Sequence, residues 1–108
     1  MFKYFLIVAL ILMFSCKVTE YKFCNESSYE LIEFSSYYWD GDNILDDQDH
    51  GNLLLDECTV WVETERTEIK AAALVSSILC IFTDDFIPVE DEQTIFNITD
   101  SSNVYCGD

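Results

Sequence analysis

The five cysteines are the residues whose spacing says most about chemistry. Cys16 directly follows an apolar segment, whereas Cys24, Cys58, Cys80 and Cys106 are spread through the rest of the chain. An exported protein with an odd number of cysteines leaves one without a partner, and the four downstream cysteines form an even set. We expect two disulfides among them, in the pairing Cys24–Cys106 and Cys58–Cys80, with a buried free thiol at Cys80 as the alternative. Because no Cys-x-x-Cys pair occurs, neither a zinc ribbon nor a thioredoxin-like redox site is indicated.

A second concentration of reactive groups lies in the acidic stretch of residues 40–57. Oxygen ligands on flexible loops suit Ca²⁺, and the stretch contains several candidates. The EF-hand spacing Asp-x-Asp-x-Asp-Gly is absent, so a solvated acidic loop is the favoured interpretation and a Ca²⁺ site the alternative. The weak candidate ligands are Asp40, Asp42, Asp46, Asp47 and Asp49.

Catalytic chemistry has little support in the sequence. His50 is the only histidine, so any Ser-His-Asp arrangement would have to use it. No Gly-x-Ser-x-Gly elbow, His-Glu-x-x-His helix or phosphate-binding glycine loop is present. We therefore expect neither an enzyme nor a cofactor, with His50 as an exposed turn residue.

Two groups of aromatic residues could form a binding surface for sugar or peptide, namely Tyr37-Tyr38-Trp39 and Trp61. The favoured interpretation is that they pack as core or half-buried sheet residues. Asn25-Glu26-Ser27 and Asn97-Ile98-Thr99 match the N-glycosylation sequon, but tripeptides this short recur by chance.

The N-terminus has the pattern of a signal peptide. Lys3 precedes an unbroken apolar run, Tyr4 to Phe14, of eleven residues. A helix needs about 20 apolar residues to span a bilayer, so this run fits the hydrophobic region of a signal peptide instead. We expect a signal peptide over residues 1–15, a tether over 16–21 and a single β-domain over 22–108.

The end of this segment, Leu12-Met13-Phe14-Ser15-Cys16, resembles a bacterial lipobox. The resemblance implies cleavage before Cys16 and attachment of diacylglycerol and an acyl chain such as palmitate to that residue. The resemblance also implies a location at the bacterial cell envelope, in the outer membrane, where the N-terminal lipid would bind the protein to the membrane. The alternative is ordinary cleavage and secretion, with Cys16 free or in an intermolecular disulfide.

Charge excludes one large class of partner. The chain of 108 residues has 21 Asp and Glu against 5 Lys and Arg, for a formal net charge of −16. Such a surface repels phosphate, so no nucleic-acid partner is expected. Half of the residues are hydrophobic, which argues against disorder.

Short apolar and alternating segments separated by turn residues predict an all-β, mainly antiparallel small sandwich or open barrel. In 29–39 we expect Ile32, Phe34 and Tyr38 on one face and Leu31, Glu33 and Ser35 on the other. Residues 78–83 are apolar throughout and predict a central strand covered on both sides. Residues 66–75 favour a short helix or a loop. The predicted strands are 29–39, 59–63, 78–83, 94–99 and an edge strand at 103–106.

Several motifs resemble those of small exported lipoproteins of the Bacteroidetes. They are Asn25-Glu26-Ser27-Ser28-Tyr29, Phe82-Thr83-Asp84-Asp85, and Asn97-Ile98-Thr99-Asp100 ahead of Tyr105. The resemblance implies an all-β lipoprotein without an assigned activity. We therefore expect a structural or interaction role at the envelope, with an unknown protein or glycan partner; a soluble secreted binding protein is the alternative.

Overall fold

The computed structural model describes residues 17–107, so the expected signal peptide and the lipid-attachment residue Cys16 lie outside the described residues. Eight strands and no helix occur in this part of the chain. The strands are β1 (Glu20–Asn25), β2 (Leu31–Trp39), β3 (Ile44–Leu53), β4 (Val62–Glu63), β5 (Ile69–Val75), β6 (Ile78–Phe86), β7 (Gln93–Ile98) and β8 (Val104–Gly107).

The strands form two sheets that pack as an open sandwich, which confirms the predicted all-β, mainly antiparallel class. The larger sheet has the order β3-β2-β5-β6-β8 and is antiparallel throughout. The smaller sheet has the order β4-β1-β7, in which β1 pairs parallel with β7 and antiparallel with β4. Strand β8 lies at the edge of the larger sheet, as predicted.

An aromatic cluster fills the space between the sheets. Phe23 on β1 is fully buried, and its ring centroid lies 5.1 Å from Phe34, 4.9 Å from Phe86 and 5.2 Å from Phe96. Phe34 in turn contacts Phe82 of β6 at 6.4 Å. Edge-to-face and tilted contacts of this kind add to the free energy of burial itself.

The prediction of a short helix or loop over residues 66–75 is wrong, because this segment contains β5. Ile69, Ala71 and Ala73 are buried while the residues between them are partly exposed, which is the period of a strand. β5 lies between β2 and β6, so both of its edges are hydrogen-bonded. Pairing on both sides overrides the helix propensity of the alanines, which is a weak local preference.

The acidic stretch is also not the loop that its composition predicts. Ten of its residues form β3, the edge strand of the larger sheet. Asp46 and Gly51 have positive φ angles of 53° and 69°, and the pairing with β2 shifts register at several points. The turn-forming residues therefore produce bulges within a strand rather than a loop between strands.

Strand β6 is central in the sheet but covered on one face only. Cys80 and Phe82 point into the core, whereas Leu79 and Ile81 are exposed on the opposite face. The expectation of a strand covered on both sides is wrong, because the smaller sheet covers only the inner face of the larger one.

A bulge in β2 changes which residues share a face. Leu31 and Phe34 are both fully buried, although they are three residues apart. Glu33 has a φ of 50°, and the register with both neighbouring strands shifts around it. The predicted grouping of Ile32 with Phe34 is therefore wrong, since a single bulged residue inverts the alternation of side chains.

Two boundaries differ from the sequence-based expectation. β1 begins at Glu20 and Tyr21 is buried, so the ordered sheet extends into the expected tether of residues 16–21. The strand expected over residues 59–63 is reduced to the two residues of β4.

Candidate functional site

The four downstream cysteines form two disulfides, Cys24–Cys58 and Cys80–Cys106. The prediction of two disulfides is confirmed, whereas the predicted pairing, Cys24–Cys106 and Cys58–Cys80, is wrong. Cys80 and Cys106 lie directly opposite each other on the neighbouring strands β6 and β8, with a Cα–Cα distance of 4.1 Å. Cys24 on β1 forms an isolated antiparallel bridge with Cys58, at 4.0 Å. The disulfide partners are therefore determined by strand pairing, which the spacing of the cysteines along the sequence does not reveal.

Two disulfides indicate an oxidising compartment outside the cytoplasm, because reducing systems keep cytosolic thiols unpaired. The two bonds use all four cysteines within residues 17–107, and the fifth cysteine of the sequence is Cys16.

Asn25 connects three segments of the backbone at the end of β1. Its side chain is fully buried; Nδ2 donates to the carbonyl oxygens of Tyr29 and Leu53 at 2.9 and 3.0 Å. Its Oδ1 accepts hydrogen bonds from the Ser27 backbone N–H and hydroxyl. The motif Asn25-x-Ser27-x-Tyr29 is thus a structural turn, and its sequon is not accessible in the folded domain.

A chain of three polar side chains crosses the interior beside the aromatic cluster. The hydroxyl groups of Tyr21 and Ser36 are hydrogen-bonded at 2.7 Å, and Ser36 Oγ lies 2.8 Å from His50 Nε2. The His50 ring also packs on Phe34, with centroids 5.6 Å apart. We call Tyr21, Ser36 and His50 the polar chain.

His50 is a half-buried strand residue, so the prediction of an exposed turn residue is wrong. Burial lowers its pKa, because removal from water penalises the charged imidazolium, and nearby Asp49 and Asp47 oppose this only in part. Burial likewise raises the pKa of Tyr21. A Ser–His contact is what a nucleophile and its base would need, but Ser36 is fully buried and bonded to Tyr21, so no substrate reaches its hydroxyl.

Sequence reasoning missed Tyr21, Ser36 and Asn25. The polar positions within β1 and β2 were a usable signal, since buried polar residues in a strand must find partners. Among the described residues no buried side-chain nitrogen or oxygen lacks a hydrogen bond.

The acidic candidates for a calcium site serve separate local roles. Asp40 Oδ1 accepts from the backbone N–H groups of Asp42 and Asn43, and these bonds lower its pKa. Asp46 forms an ion pair with Arg66, with Nε and Oδ2 2.7 Å apart. Asp49 accepts from the Gly51 N–H at 2.9 Å, which stabilises a β3 bulge.

No group of three Asp, Glu, His or Cys side chains within residues 17–107 is arranged to hold a metal ion. Asp42 and Asp47, in the same stretch, are solvent-exposed. Asp40 and Asp42 lie in the turn before β3, whereas Asp46 on the strand faces Arg66 across the crevice, so these carboxylates do not converge on one point.

A polar crevice of about 630 Å³ opens between the sheets beside β3 and β4. Tyr38, Asp46 and Arg66 line it, and the Arg66 guanidinium lies 4.4 Å from the centroid of the Tyr38 ring. The hydrogen bond with Asp46 raises the Arg66 pKa, and a guanidinium is charged throughout the physiological pH range in any case.

An apolar groove of about 380 Å³ lies on the outer face of the larger sheet. Its lining includes Tyr37, Trp39, Ile44 and Ile81, and Trp39 is 46% exposed. Trp61 does not join them, since it lies under Lys22 of the smaller sheet, with Nζ 4.6 Å from the ring centroid. Trp61 therefore belongs to a different surface from Tyr37 and Trp39, and Tyr38 lines the crevice rather than the groove.

Comparison with known proteins found no matching family model, no matching curated protein and no matching solved structure. Within residues 17–107 no helix has the length and apolar character needed to cross a membrane.

Proposed function

We propose that this chain is an exported lipoprotein, attached to the bacterial cell envelope through Cys16, whose β-domain has a structural or interaction role. The pairing of the other four cysteines is the observation that supports it most directly. Since Cys24 pairs with Cys58 and Cys80 with Cys106, Cys16 is left for chemistry other than an intrachain disulfide. Acylation within the lipobox-like segment is that chemistry.

The position of β1 adds a geometric consequence. Only Lys17, Val18 and Thr19 separate Cys16 from the first strand residue. Thr19 Oγ1 already accepts a hydrogen bond from the Asp91 N–H at 2.8 Å. At about 3.5 Å for each extended residue, the anchor would hold the domain within about 10–15 Å of the bilayer surface.

Lipid supplies enough free energy for this role. Each buried methylene contributes about 0.8 kcal/mol, and two or three acyl chains make a stable anchor where one is marginal. The resemblance to Bacteroidetes lipoproteins favours the outer membrane as the site. The domain would then act as a module presented at the envelope, without an assigned reaction.

The test is metabolic labelling with a palmitate analogue in an exporting bacterial host. We expect the wild-type chain to be labelled and to fractionate with membranes, and Cys16→Ser to lose both properties. Cys106→Ser is the matched control, because it removes a cysteine without touching the lipobox and should keep the label. An unlabelled wild-type chain recovered in the soluble fraction would support the alternative, a soluble secreted binding protein.

A further inference from the structure

The four edges of the two sheets are not equally protected. At the β3 edge, three aspartates and positive-φ bulges disfavour pairing with another strand. β4 has only two residues, and β8 has four and is cross-linked to β6. β7 has six residues, Gln-Thr-Ile-Phe-Asn-Ile, with neither charge nor proline. It is therefore the least protected edge among the described strands.

The hydrogen-bond pattern shows which groups of β7 face outward. The carbonyl oxygens of Glu92 and Ile98 accept from the N–H groups of Glu20 and Glu26, so even-numbered residues face β1. In a parallel pair, alternate residues direct both backbone groups to the same neighbour. The N–H and C=O groups of Gln93, Ile95 and Asn97 therefore point away from β1, and β7 has no other strand partner in the described part of the chain.

Side chains at this edge also fit an added strand. Ile95 is 50% exposed, and Phe96 is half-buried on the opposite face, where it contacts Phe23. A strand lying beside β7 would cover apolar surface next to both residues. Extended peptides bind exposed sheet edges in this manner, with backbone hydrogen bonds for affinity and alternate side chains for selectivity.

Charge selects the kind of partner. Asp91 and Glu92 precede β7, Glu20 lies beside Gln93, and Asp100 follows the strand. Both ends of the edge are therefore negative. A second copy of this chain paired antiparallel would place Asp100 against Asp91 and Glu92 of its partner, which is unfavourable. Basic residues at the ends of an incoming strand would be favoured instead.

We propose that the free edge of β7 binds an extended peptide segment that has alternating apolar residues and Lys or Arg at its ends. This inference rests on the interaction role proposed above, but not on the lipid anchor. It identifies the partner as a basic, strand-forming segment of another protein.

The experiment measures fluorescence anisotropy of a labelled peptide, Lys-Lys-Val-Thr-Val-Thr-Val-Lys-Lys, with the chain purified from an exporting host with both disulfides formed. We expect binding that weakens as salt is raised, and none for the counterpart with Glu in place of Lys. Ile95→Pro should weaken binding about tenfold or more, because it removes an outward N–H without removing a bond to β1. Ile95→Ser keeps that N–H and should weaken binding only about threefold.

Two further measurements keep the result decisive. If Ile95→Pro fails to fold, two N-methylated peptides are tested against the wild-type chain instead. The peptide methylated on the N–H groups of the edge that faces β7 should not bind, whereas the peptide methylated on its other edge should bind normally. Trp39→Ala, in the outer groove, should leave the affinity unchanged. No binding of the basic peptide, loss of binding in Trp39→Ala, or a wild-type dimer that Ile95→Pro dissociates would each overturn the proposal. Because binding is measured in solution, its failure is distinguishable from failure of the lipid anchor.

Discussion

The aromatic cluster and the polar chain are neighbouring parts of one interior, held together by different chemistry. Phe23 packs among Phe34, Phe86 and Phe96, where area and shape alone determine the free energy of burial. A few ångströms away, Tyr21, Ser36 and His50 fill their space with two hydrogen bonds in series. Phe34 lies between the two regions, since its ring contacts both Phe23 and His50.

The difference shows that the aromatic cluster supplies most of the stability, whereas the polar chain makes the alignment of the strands specific. Apolar packing tolerates many arrangements of similar volume, whereas a buried hydroxyl must meet its partner at one distance and angle. The polar chain joins β1, β2 and β3, so it aligns the acidic edge strand with the rest of the sandwich. The following variants test this division, beginning with the largest expected effect.

Phe23→Ala should be the most damaging substitution. It removes a fully buried ring from the centre of the cluster, and such truncations destabilise by about 3–5 kcal/mol. Urea unfolding with the disulfides intact measures the loss. Phe23→Leu, the control, should lose about 1–2 kcal/mol because most of the volume is kept. Equal losses in both variants would contradict the view that volume determines stability here.

Ser36→Ala should destabilise by about 1–3 kcal/mol, because Tyr21 and His50 each lose their shared partner. Tyr21→Phe, which removes one hydroxyl and keeps the Ser36–His50 bond, should lose about 1 kcal/mol. The double variant should be less destabilised than the two losses added together, since both remove the same hydrogen bond. If the losses of unfolding free energy measured with urea were strictly additive, the polar chain would not act as a unit.

The pH dependence of stability should also distinguish the two regions. Because burial lowers the pKa of His50 in the folded state, the unfolded chain takes up the proton first as pH falls below about 6.5. The contribution of neutral His50 is therefore complete above that pH and is lost below it.

The structural reason for this loss lies in the donors of the polar chain. When His50 is neutral, Nε2 can accept a hydrogen bond from the Ser36 hydroxyl, which in turn accepts one from the Tyr21 hydroxyl. A protonated Nε2 must donate to Ser36 instead, and this reverses the direction of the hydrogen bonds in the polar chain. Between pH 7.5 and pH 5.5, the midpoint temperature of thermal unfolding should fall further for the wild type than for His50→Gln. Phe23→Leu should retain the wild-type pH slope, and an unchanged slope in His50→Gln would contradict the assignment.

The smallest effect should come from the crevice. Asp46→Asn breaks the ion pair with Arg66, but Asp46 is solvent-exposed, Arg66 is partly so, and the guanidinium remains over Tyr38. Exposed pairs of this kind contribute little. Thermal melts should therefore show no resolvable change, and a shift comparable to that of Ser36→Ala would assign the crevice a structural role.

Sequence patterns predicted the fold class and five of the eight strands, β4 with bounds that were too long, but they did not predict β1, β3 or β5. Residues 78–83, 94–99 and 103–106 were recognisable because β-branched and aromatic residues stood between turn signals. Residues 69–75 and 44–53 were not, since alanines favour helix locally and aspartates with glycine favour loops. In both segments hydrogen bonds to a neighbouring strand outweigh preferences of less than about 1 kcal/mol per residue.

The candidate sites divide in the same way. The number of cysteines and the location of the acidic residues are properties of composition, so two disulfides and an acidic region could be inferred directly. The Cys24–Cys58 and Cys80–Cys106 pairing, the contact between Ser36 and His50, and the separation of the aspartates depend on register. One bulge at Glu33 is enough to reverse which side chains meet, and no local pattern predicts it.

By itself, the sequence determined the all-β class of the domain, a high negative charge, and five cysteines, one of which stands apart at the end of an apolar segment. These follow from side-chain chemistry and short-range periodicity, which do not depend on distant residues. Only the tertiary structure decided which cysteines join, which polar groups share the interior, and which sheet edge is left unprotected. Those features arise from contacts between residues far apart in sequence, where backbone pairing and exclusion of water select one register among many.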